Sequence, residues 1–160
     1  MDTNYMTRKA WDAINAKLRD HLSALKPGGE IAQEIGKAAS YGDLSENAEW
    51  EAAIQKKDIM GNEVKNMRQR LSNVQIIDDL KVDTNKVMLG TKVTLYDVDK
   101  DEDVVYQILS SDDTAFYENS ISFQSPIARG LIGKQEDDEA KIKVPAGMKN
   151  FEVIKIEHFS

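Results

Sequence analysis

The fold of the first half of the chain depends on residues 41–50, which read Tyr-Gly-Asp-Leu-Ser-Glu-Asn-Ala-Glu-Trp. They lie between two long helical patterns, so we expect them to form the far end of an antiparallel pair of helices, an αα-hairpin. The carboxylates of Asp43, Glu46 and Glu49 then lie at this bend. Carboxylates on a protruding tip can bring a divalent cation or a water molecule to a site inside another protein. The stretch therefore predicts a function carried out at a distance from the protein's own core.

Helical periodicity runs from Thr7 to about Ile77, on both sides of this stretch. After it, spacings of four and three alternate as in a coiled-coil seam. The seam residues are Ala53, Lys57, Met60, Val64, Met67, Leu71 and Val74. Before it, the apolar positions are Trp11, Ile14, Leu18, Leu22, Leu25, Ile31, Ile35 and Ala38. Pro27-Gly28-Gly29 should break or kink this first helix. Each arm would have roughly 30 residues and a length of about 45 Å.

An ordinary two-helix unit inside a larger core is the alternative to a protruding hairpin. The chain contains no third long helical pattern that could cover the two helices, and this favours the hairpin.

The second half of the chain has the composition and alternation of β-strands. The predicted strands are Val87–Tyr96, Val104–Leu109, Ile121–Phe123, Ala140–Val144 and Phe151–Glu157. One short helix should begin at Ser125, because Ser at the N-cap followed by Pro at the first helical position is a good start signal. The predicted fold class is α+β: a helical hairpin over residues 1–79, then a small antiparallel β domain with one short helix over residues 80–160.

Charge and composition restrict the possible functions. The formal net charge of −7 argues against general nucleic-acid or anionic-membrane binding through bulk charge. The chain has no cysteine, which excludes disulfides and thiolate metal sites and suits a reducing cytosol. No apolar run approaches the roughly 18 residues of a membrane span, and the start lacks the order of a signal peptide. We expect a cytoplasmic protein without a membrane partner.

The acids Asp43 and Glu46 at the tip can be interpreted in two ways, as a catalytic pair or as a helix cap. Asp43 and Glu46 are three residues apart, so both can face the same way at the start of a helix. Asp at an N-cap with Glu at N3 also resembles a capping box, which would make the pair a local stabilising device. Two carboxylates cannot hold Mg²⁺ alone, because magnesium demands octahedral oxygen ligation. A catalytic role therefore requires a partner with the remaining ligands, as in two-metal phosphodiester hydrolysis divided between two proteins.

Other candidate sites in the sequence are weak. The acidic run Asp97–Asp103 lacks the Gly and terminal Glu of a calcium loop, so we interpret it as a solvated hairpin loop. His21 and His158 are isolated, and we expect His21 on a helix surface. There is no Gly-rich phosphate loop and no hydrolase-type serine turn. The sequence contains no self-contained active site.

Three stretches, Gly42–Trp50, Leu71–Asp78 and Ser125–Lys134, closely resemble the Gre family of bacterial transcription elongation (transcript cleavage) factors, its A-type members in particular. The resemblance covers nearly the whole chain. It implies a coiled-coil hairpin and an FKBP-like domain that docks on RNA polymerase at the rim of the secondary channel. The hairpin would reach the extruded 3′ end of backtracked nascent RNA, and polymerase would cleave its own transcript and restart.

The resemblance also implies roles for particular residues. Asp43 and Glu46 would be the catalytic pair that helps polymerase to hold Mg²⁺, with no metal bound tightly by the isolated protein. The polymerase-binding residues would be Ser122, Ser125, Pro126, Ile127 and Ala128. The protein would act as a monomer that lends catalytic groups and is not an enzyme by itself.

The chain departs from the family pattern at three places. Ala39 and Ile54 stand where A-type members usually carry Arg near the RNA. Lys37, Lys56 and Lys57 are the RNA-facing basic residues that could substitute in part. Pro27-Gly28-Gly29 adds two residues to the first helix, and Trp50 replaces the usual Tyr as an aromatic brace below the tip.

Two other functions stay open at this point. A Gre-fold inhibitor would occupy the channel without stimulating cleavage, which the reduced basic patch allows and the intact acidic pair opposes. A prolyl isomerase would need an aromatic-lined pocket in the FKBP-like domain. Its aromatic residues are scattered along the sequence, which argues against this activity.

Overall fold

The computed structural model describes residues 2–43 and 47–160, which form two compact units. The helical unit is Asp12–Asn73, and the sheet unit combines the chain up to Trp11 with Val74–Ser160. The helices are α1 (Arg8–Leu25), α2 (Glu30–Ala39), α3 (Ala48–Arg70) and α4 (Pro126–Leu131). The strands are β1 (Asn4–Met6), β2 (Val74–Ile76), β3 (Thr91–Asp97), β4 (Glu102–Leu109), β5 (Ser120–Ser122), β6 (Glu139–Val144) and β7 (Gly147–His158). The division into domains at residues 79 and 80 stays a prediction.

The break in the first arm is confirmed: α1 ends at Leu25 and α2 begins at Glu30. Gly28 has a φ of +76°, a conformation that residues with a Cβ rarely adopt. A Cβ on Gly29 would lie 2.6 Å from the carbonyl oxygen of Ser23 and 2.8 Å from that of Ala24. The two glycines therefore let the chain leave one helix and start the next within four residues.

The predicted apolar and seam positions of the two arms are buried only in part. The buried ones are Ile14, Ile31, Ala38, Ala53, Val64 and Met67. Lys57 is exposed, and Leu22 is 38% exposed. The predicted helix to Ile77 was too long, because α3 ends at Arg70 and Val74–Ile76 form a strand.

The prediction that His21 lies on a helix surface was wrong. Its side chain is only 13% exposed, and its Nε2 hydrogen-bonds to Glu63 Oε2 on the neighbouring helix. This hydrogen bond lowers the pKa of the Glu63 carboxyl. His21 and Glu63 thus form a polar link between α1 and α3.

The α+β class is confirmed, and the main sheet has the strand order β5-β4-β3-β7-β6. The pairings β3–β4, β3–β7 and β6–β7 are antiparallel. The pairing β4–β5 is parallel, so the sheet is mixed where the sequence indicated an antiparallel one. The core lies between one face of the sheet and α4. Gly130 on α4 lies so close to β6 that a Cβ at this position would be 2.6 Å from Ile142 Cγ1.

The start of the chain is held in the sheet unit by contacts that the sequence did not predict. β1 pairs in parallel with β2, and the next residue, Thr7, is fully buried. Asp113 is also fully buried, and its Oδ1 accepts hydrogen bonds from Thr7 N (2.9 Å) and Thr7 Oγ1 (2.7 Å). Its Oδ2 accepts from Ser110 N (3.0 Å) and Ser110 Oγ (2.7 Å). One carboxylate thus satisfies four donors and fixes the residue from which α1 starts.

Candidate functional site

The tip of the helical unit is the connection between the end of α2 and the start of α3, residues 40–47. Ser40 N donates to the carbonyls of Gly36 and Lys37, and Tyr41 N donates to Ala38 O at 3.2 Å. These bonds satisfy carbonyls that the end of a helix leaves unpaired. Gly42 then takes a φ of +132°, where the chain turns away from α2. The backbone of the first part of the tip is therefore fixed by the end of α2.

Asn47, and not Asp43, is the N-cap of α3. Its Oδ1 accepts a hydrogen bond from Trp50 N at 3.0 Å. Its Nδ2 donates to Ala38 O at 2.5 Å, so a single side chain bonds to the end of α2 and to the start of α3. The reading of Asp43 as the cap of this helix was wrong. Asn and Asp are both preferred N-cap residues, so the sequence offered two candidate caps and did not choose between them.

Asp43 is exposed at the tip. An open groove of about 400 Å³ is lined by Tyr41, Asp43, Asn47, Ala48 and Glu49. Glu49 lies in the first turn of α3, where a carboxylate is favoured by the helix dipole. Glu46, the second predicted catalytic acid, lies outside the described residues.

The described part of the tip does not contain a complete metal site. Among the residues that the structure describes, no group of three acidic or histidine side chains is placed to hold a metal ion. A carboxylate such as that of Asp43 is the donor type that Mg²⁺ prefers, but the ion needs six oxygen ligands. The described tip can therefore contribute to a magnesium site only if another molecule completes the ligand shell.

The three predicted basic residues do not form one patch. Lys37 and Lys56 line a second open groove, of about 500 Å³, together with Glu34, Tyr41 and Glu49 among others. Lys57 lines a different groove, farther along α3. Lys56 Nζ lies 3.0 Å from Glu34 Oε1, and this hydrogen bond and the charge of Glu34 raise the pKa of Lys56. The structure thus brings together two lysines, one of which is already paired with an acid.

The predicted polymerase-binding residues surround the start of α4. The start signal is confirmed: Ser125 Oγ accepts from Ala128 N at 3.3 Å, and Pro126 is the first helical residue. Pro126 is exposed, whereas Ser122, Ser125 and Ile127 are half-buried.

Ala128, the fifth predicted polymerase-binding residue, has no accessible side-chain surface. It packs in the core of the sheet unit, so it serves the fold of α4 and is not itself available to a partner. Exposed neighbours that the sequence did not single out are Gln124, Arg129 and Ile132.

The acidic run Asp97–Asp103 is held by its own hydrogen bonds. Asp97 is only 5% exposed, and its Oδ1 accepts from Asp99 N and Lys100 N. Asp99 accepts from both nitrogens of Asn150 on β7. These carboxylates shape a turn between β3 and β4, which favours a structural role for the loop.

Comparison with known proteins gives consistent results over both units. A family model described as "Transcription elongation factor, N-terminal" matches residues 4–76, and one described as "Transcription elongation factor, GreA/GreB, C-term" matches residues 82–158. Transcription elongation factor GreA of Vibrio parahaemolyticus is 41% identical over 154 residues, 96% of each chain. GreA of Syntrophotalea carbinolica is 36% identical over 153 residues, again 96% of each chain.

The similarity to solved structures is too low to support conclusions about this chain. The GreA factor homolog 1 protein of Thermus thermophilus aligns with 98% of this chain and 99% of its own at 21% identity, with a TM-score of 0.43, too low for a structural argument. Within residues 2–43 and 47–160, no helix is both long and apolar enough to span a bilayer.

Proposed function

Because this chain belongs to the GreA/GreB family of transcription elongation factors, we propose that it binds RNA polymerase and stimulates cleavage of backtracked nascent RNA. The sheet unit docks at the rim of the secondary channel, and the tip of the helical unit enters the channel. Polymerase then removes the extruded 3′ end of the RNA and resumes synthesis. The factor lends catalytic groups and has no cleavage activity of its own.

The observation that carries this proposal is the position of Asp43. Its carboxylate is exposed at the tip and is not the cap of α3, because Asn47 has that role. A carboxylate at the solvent-exposed end of a helical pair stays hydrated, so the fold bears no desolvation penalty for it, and a partner can reach it. Asp43 is therefore not needed as the N-cap of α3.

The chain's own part in the chemistry follows from the oxygens of the tip. Asp43, with Glu46 as the expected second acid, would provide carboxylate ligands to a magnesium ion held jointly with polymerase. When bound, Mg²⁺ supplies charge stabilisation and activation of water for phosphodiester hydrolysis. A carboxylate oxygen of Asp43 also orients the attacking water and accepts its proton. Asn47 keeps the two helix ends together while this happens.

Docking is assigned to the exposed start of α4. Pro126 is exposed on a backbone that the Ser125 cap fixes, and Ile132, at the other end of the helix, is 42% exposed. A fixed, partly apolar surface loses little conformational entropy on binding, which suits a docking site.

The decisive experiment is transcript cleavage in stalled, backtracked complexes with labelled RNA at several Mg²⁺ concentrations. Asp43→Asn should lower factor-dependent cleavage by about a hundredfold or more, the usual value of a positioned acid–base group. Its affinity for polymerase, measured by competition, should be unchanged. Asp58→Asn, which removes the same charge from the exposed side of α3, is the matched control and should cleave like the wild type. Pro126→Asp should instead weaken binding.

A second candidate is a channel-binding inhibitor with the same fold. It is favoured by the pairing of Lys56 with Glu34 and by Ala39 on α2 and Ile54 on α3, which leave little positive charge for RNA. The same assay separates the two functions. If the wild type competes for polymerase but yields no shortened transcripts at any Mg²⁺ concentration, the inhibitor is correct.

A further inference from the structure

Tyr41 has an unusual position for a large aromatic residue. The residue is 60% exposed, the highest value for a large hydrophobic residue among those the structure describes. Within the same residues, its hydroxyl has no hydrogen bond and its ring has no aromatic partner. Exposing an aromatic ring to water forgoes a large favourable burial, so packing within the unit does not explain its presence at the tip.

The ring is attached to a fixed backbone. Tyr41 N donates to Ala38 O, and Ser40, one residue earlier, donates to two carbonyls of α2. A tyrosine side chain has only two χ angles to fix, so the entropy cost of binding through it is low. Tyr41 is therefore suited to contact a ligand without first being ordered by it.

The surroundings of Tyr41 define the chemistry of such a ligand. Tyr41 lines both tip grooves, the one with Asp43 and Asn47 and the one with Lys37. Lys37 has no ion pair among the described residues, so its charge remains for an anion. The groove that Tyr41 shares with Lys37 is also lined by Lys56 and by the acids Glu34 and Glu49. An aromatic ring and a cation in one groove can bind the bases and phosphates of single-stranded nucleic acid.

We propose that Tyr41 stacks on a nucleobase of the extruded RNA 3′ end, with Lys37 near the adjoining phosphate. This inference rests on the proposed function and specifies its substrate contact. Stacking tolerates any base, because every base has a π-face, and this suits a factor that acts on transcripts of any sequence. It also gives the tip a grip on RNA that does not depend on the arginines missing at Ala39 and Ile54.

The test is a cleavage assay with two RNAs that differ only in the extruded segment, which carries normal nucleotides in one and abasic ribose in the other. With normal RNA and saturating factor, Tyr41→Ala should lower the cleavage rate about five- to a hundredfold, the range that base–aromatic stacking provides. Tyr41→Phe keeps the ring and should cleave like the wild type. Ile59→Ala, a truncation of a 58% exposed residue on α3, is the matched control. With abasic RNA, Tyr41→Ala and the wild type should cleave at the same, lower rate.

Two other results of this assay would overturn the inference. An equal loss on both RNAs would mean that the ring contacts polymerase or shapes the tip, and no loss on either would mean that it contacts nothing in the complex. A wild type that stimulates no cleavage would refute the proposed function instead. In that case photo-crosslinking of 5-iodouridine at the RNA 3′ end still decides: a crosslink at Tyr41 supports stacking, and its absence refutes it.

Discussion

Two aspartates show how differently the two units use a carboxylate. Asp113 in the sheet unit is fully buried and accepts four hydrogen bonds from Thr7 and Ser110. Asp43 in the helical unit is exposed, and the capping of α3 falls to Asn47. The first carboxylate is committed to the fold, whereas the second remains accessible at a surface. The comparison teaches that burial, not residue type, separates a structural acid from a candidate catalytic one.

The largest expected effect comes from removing the buried carboxylate. Asp113→Ala leaves four donors in a dry site without an acceptor, so we expect the free energy of unfolding to fall by about 3–5 kcal/mol. Urea denaturation measures this change. Asp43→Ala, the matched variant at an exposed position, should stay within about 0.5 kcal/mol of the wild type. Equal stabilities for the two variants would remove the contrast between the two carboxylates.

A smaller effect is expected at Asn47, whose side chain joins the two helix ends beside Asp43. Asn47→Ala loses the cap and should lower stability by about 1 kcal/mol. Asn47→Asp can still accept from Trp50 N but cannot donate to Ala38 O. This variant therefore distinguishes the effect of capping α3 from the effect of the hydrogen bond to the end of α2.

The two Asn47 variants also test function. If the bridge positions the tip, Asn47→Asp reduces maximal cleavage in the transcript assay while its affinity for polymerase and most of its stability are kept. Full cleavage by Asn47→Asp would show that only the cap matters and that the distance between the helix ends is fixed by other contacts.

The smallest expected effect concerns the hydrogen bond between His21 and Glu63. The exposure of the Glu63 carboxylate is intermediate between that of the buried Asp113 and that of the exposed Asp43. The hydrogen bond from His21 lowers the pKa of Glu63, so Glu63 binds its proton less readily in the folded state than in the unfolded one. Its contribution to stability is therefore present above the unfolded pKa and is lost as the pH falls through the folded pKa.

Carboxyl titration by NMR checks this assignment. In His21→Ala, the pKa of Glu63 should rise towards the ordinary glutamate value. Lys17→Ala, which removes a weaker charge effect on the same carboxyl, is the control and should change the pKa less. An unchanged pKa in His21→Ala would show that the link does not exist in solution.

Much of the fold was predictable because it depends on local signals. Pro27-Gly28-Gly29 separates α1 from α2, and Ser125-Pro126 starts α4 as the sequence indicates. The five predicted strands correspond to the strands of the main sheet, although the first begins at Thr91 and not at Val87. Fixed φ angles, capping oxygens and alternating burial act within a few residues, so one sequence is enough to find them.

The candidate site was predictable only in part. The position of Asp43 between two helices and the start of a helix at Pro126 followed from the sequence, whereas their functional roles stay predictions that the family resemblance implies. Asn47 was missed because Asp43 and Glu46 have capping-box spacing, and the sequence does not say which of two possible caps the helix uses. Ala128 was named with the docking residues, and only the packing of α4 shows it buried in the core.

By itself, the sequence determined the two helical arms, the break in the first arm, the acidic tip and the strands of the second half. Only the tertiary structure decided that β1 pairs with β2, that Thr7 bonds to Asp113 across 106 positions and that His21 is paired with Glu63. These contacts join residues far apart in the chain, and many alternative pairings would satisfy the same local patterns. The choice among them is made by burial and by the need of every buried donor for an acceptor, which are properties of the folded chain as a whole.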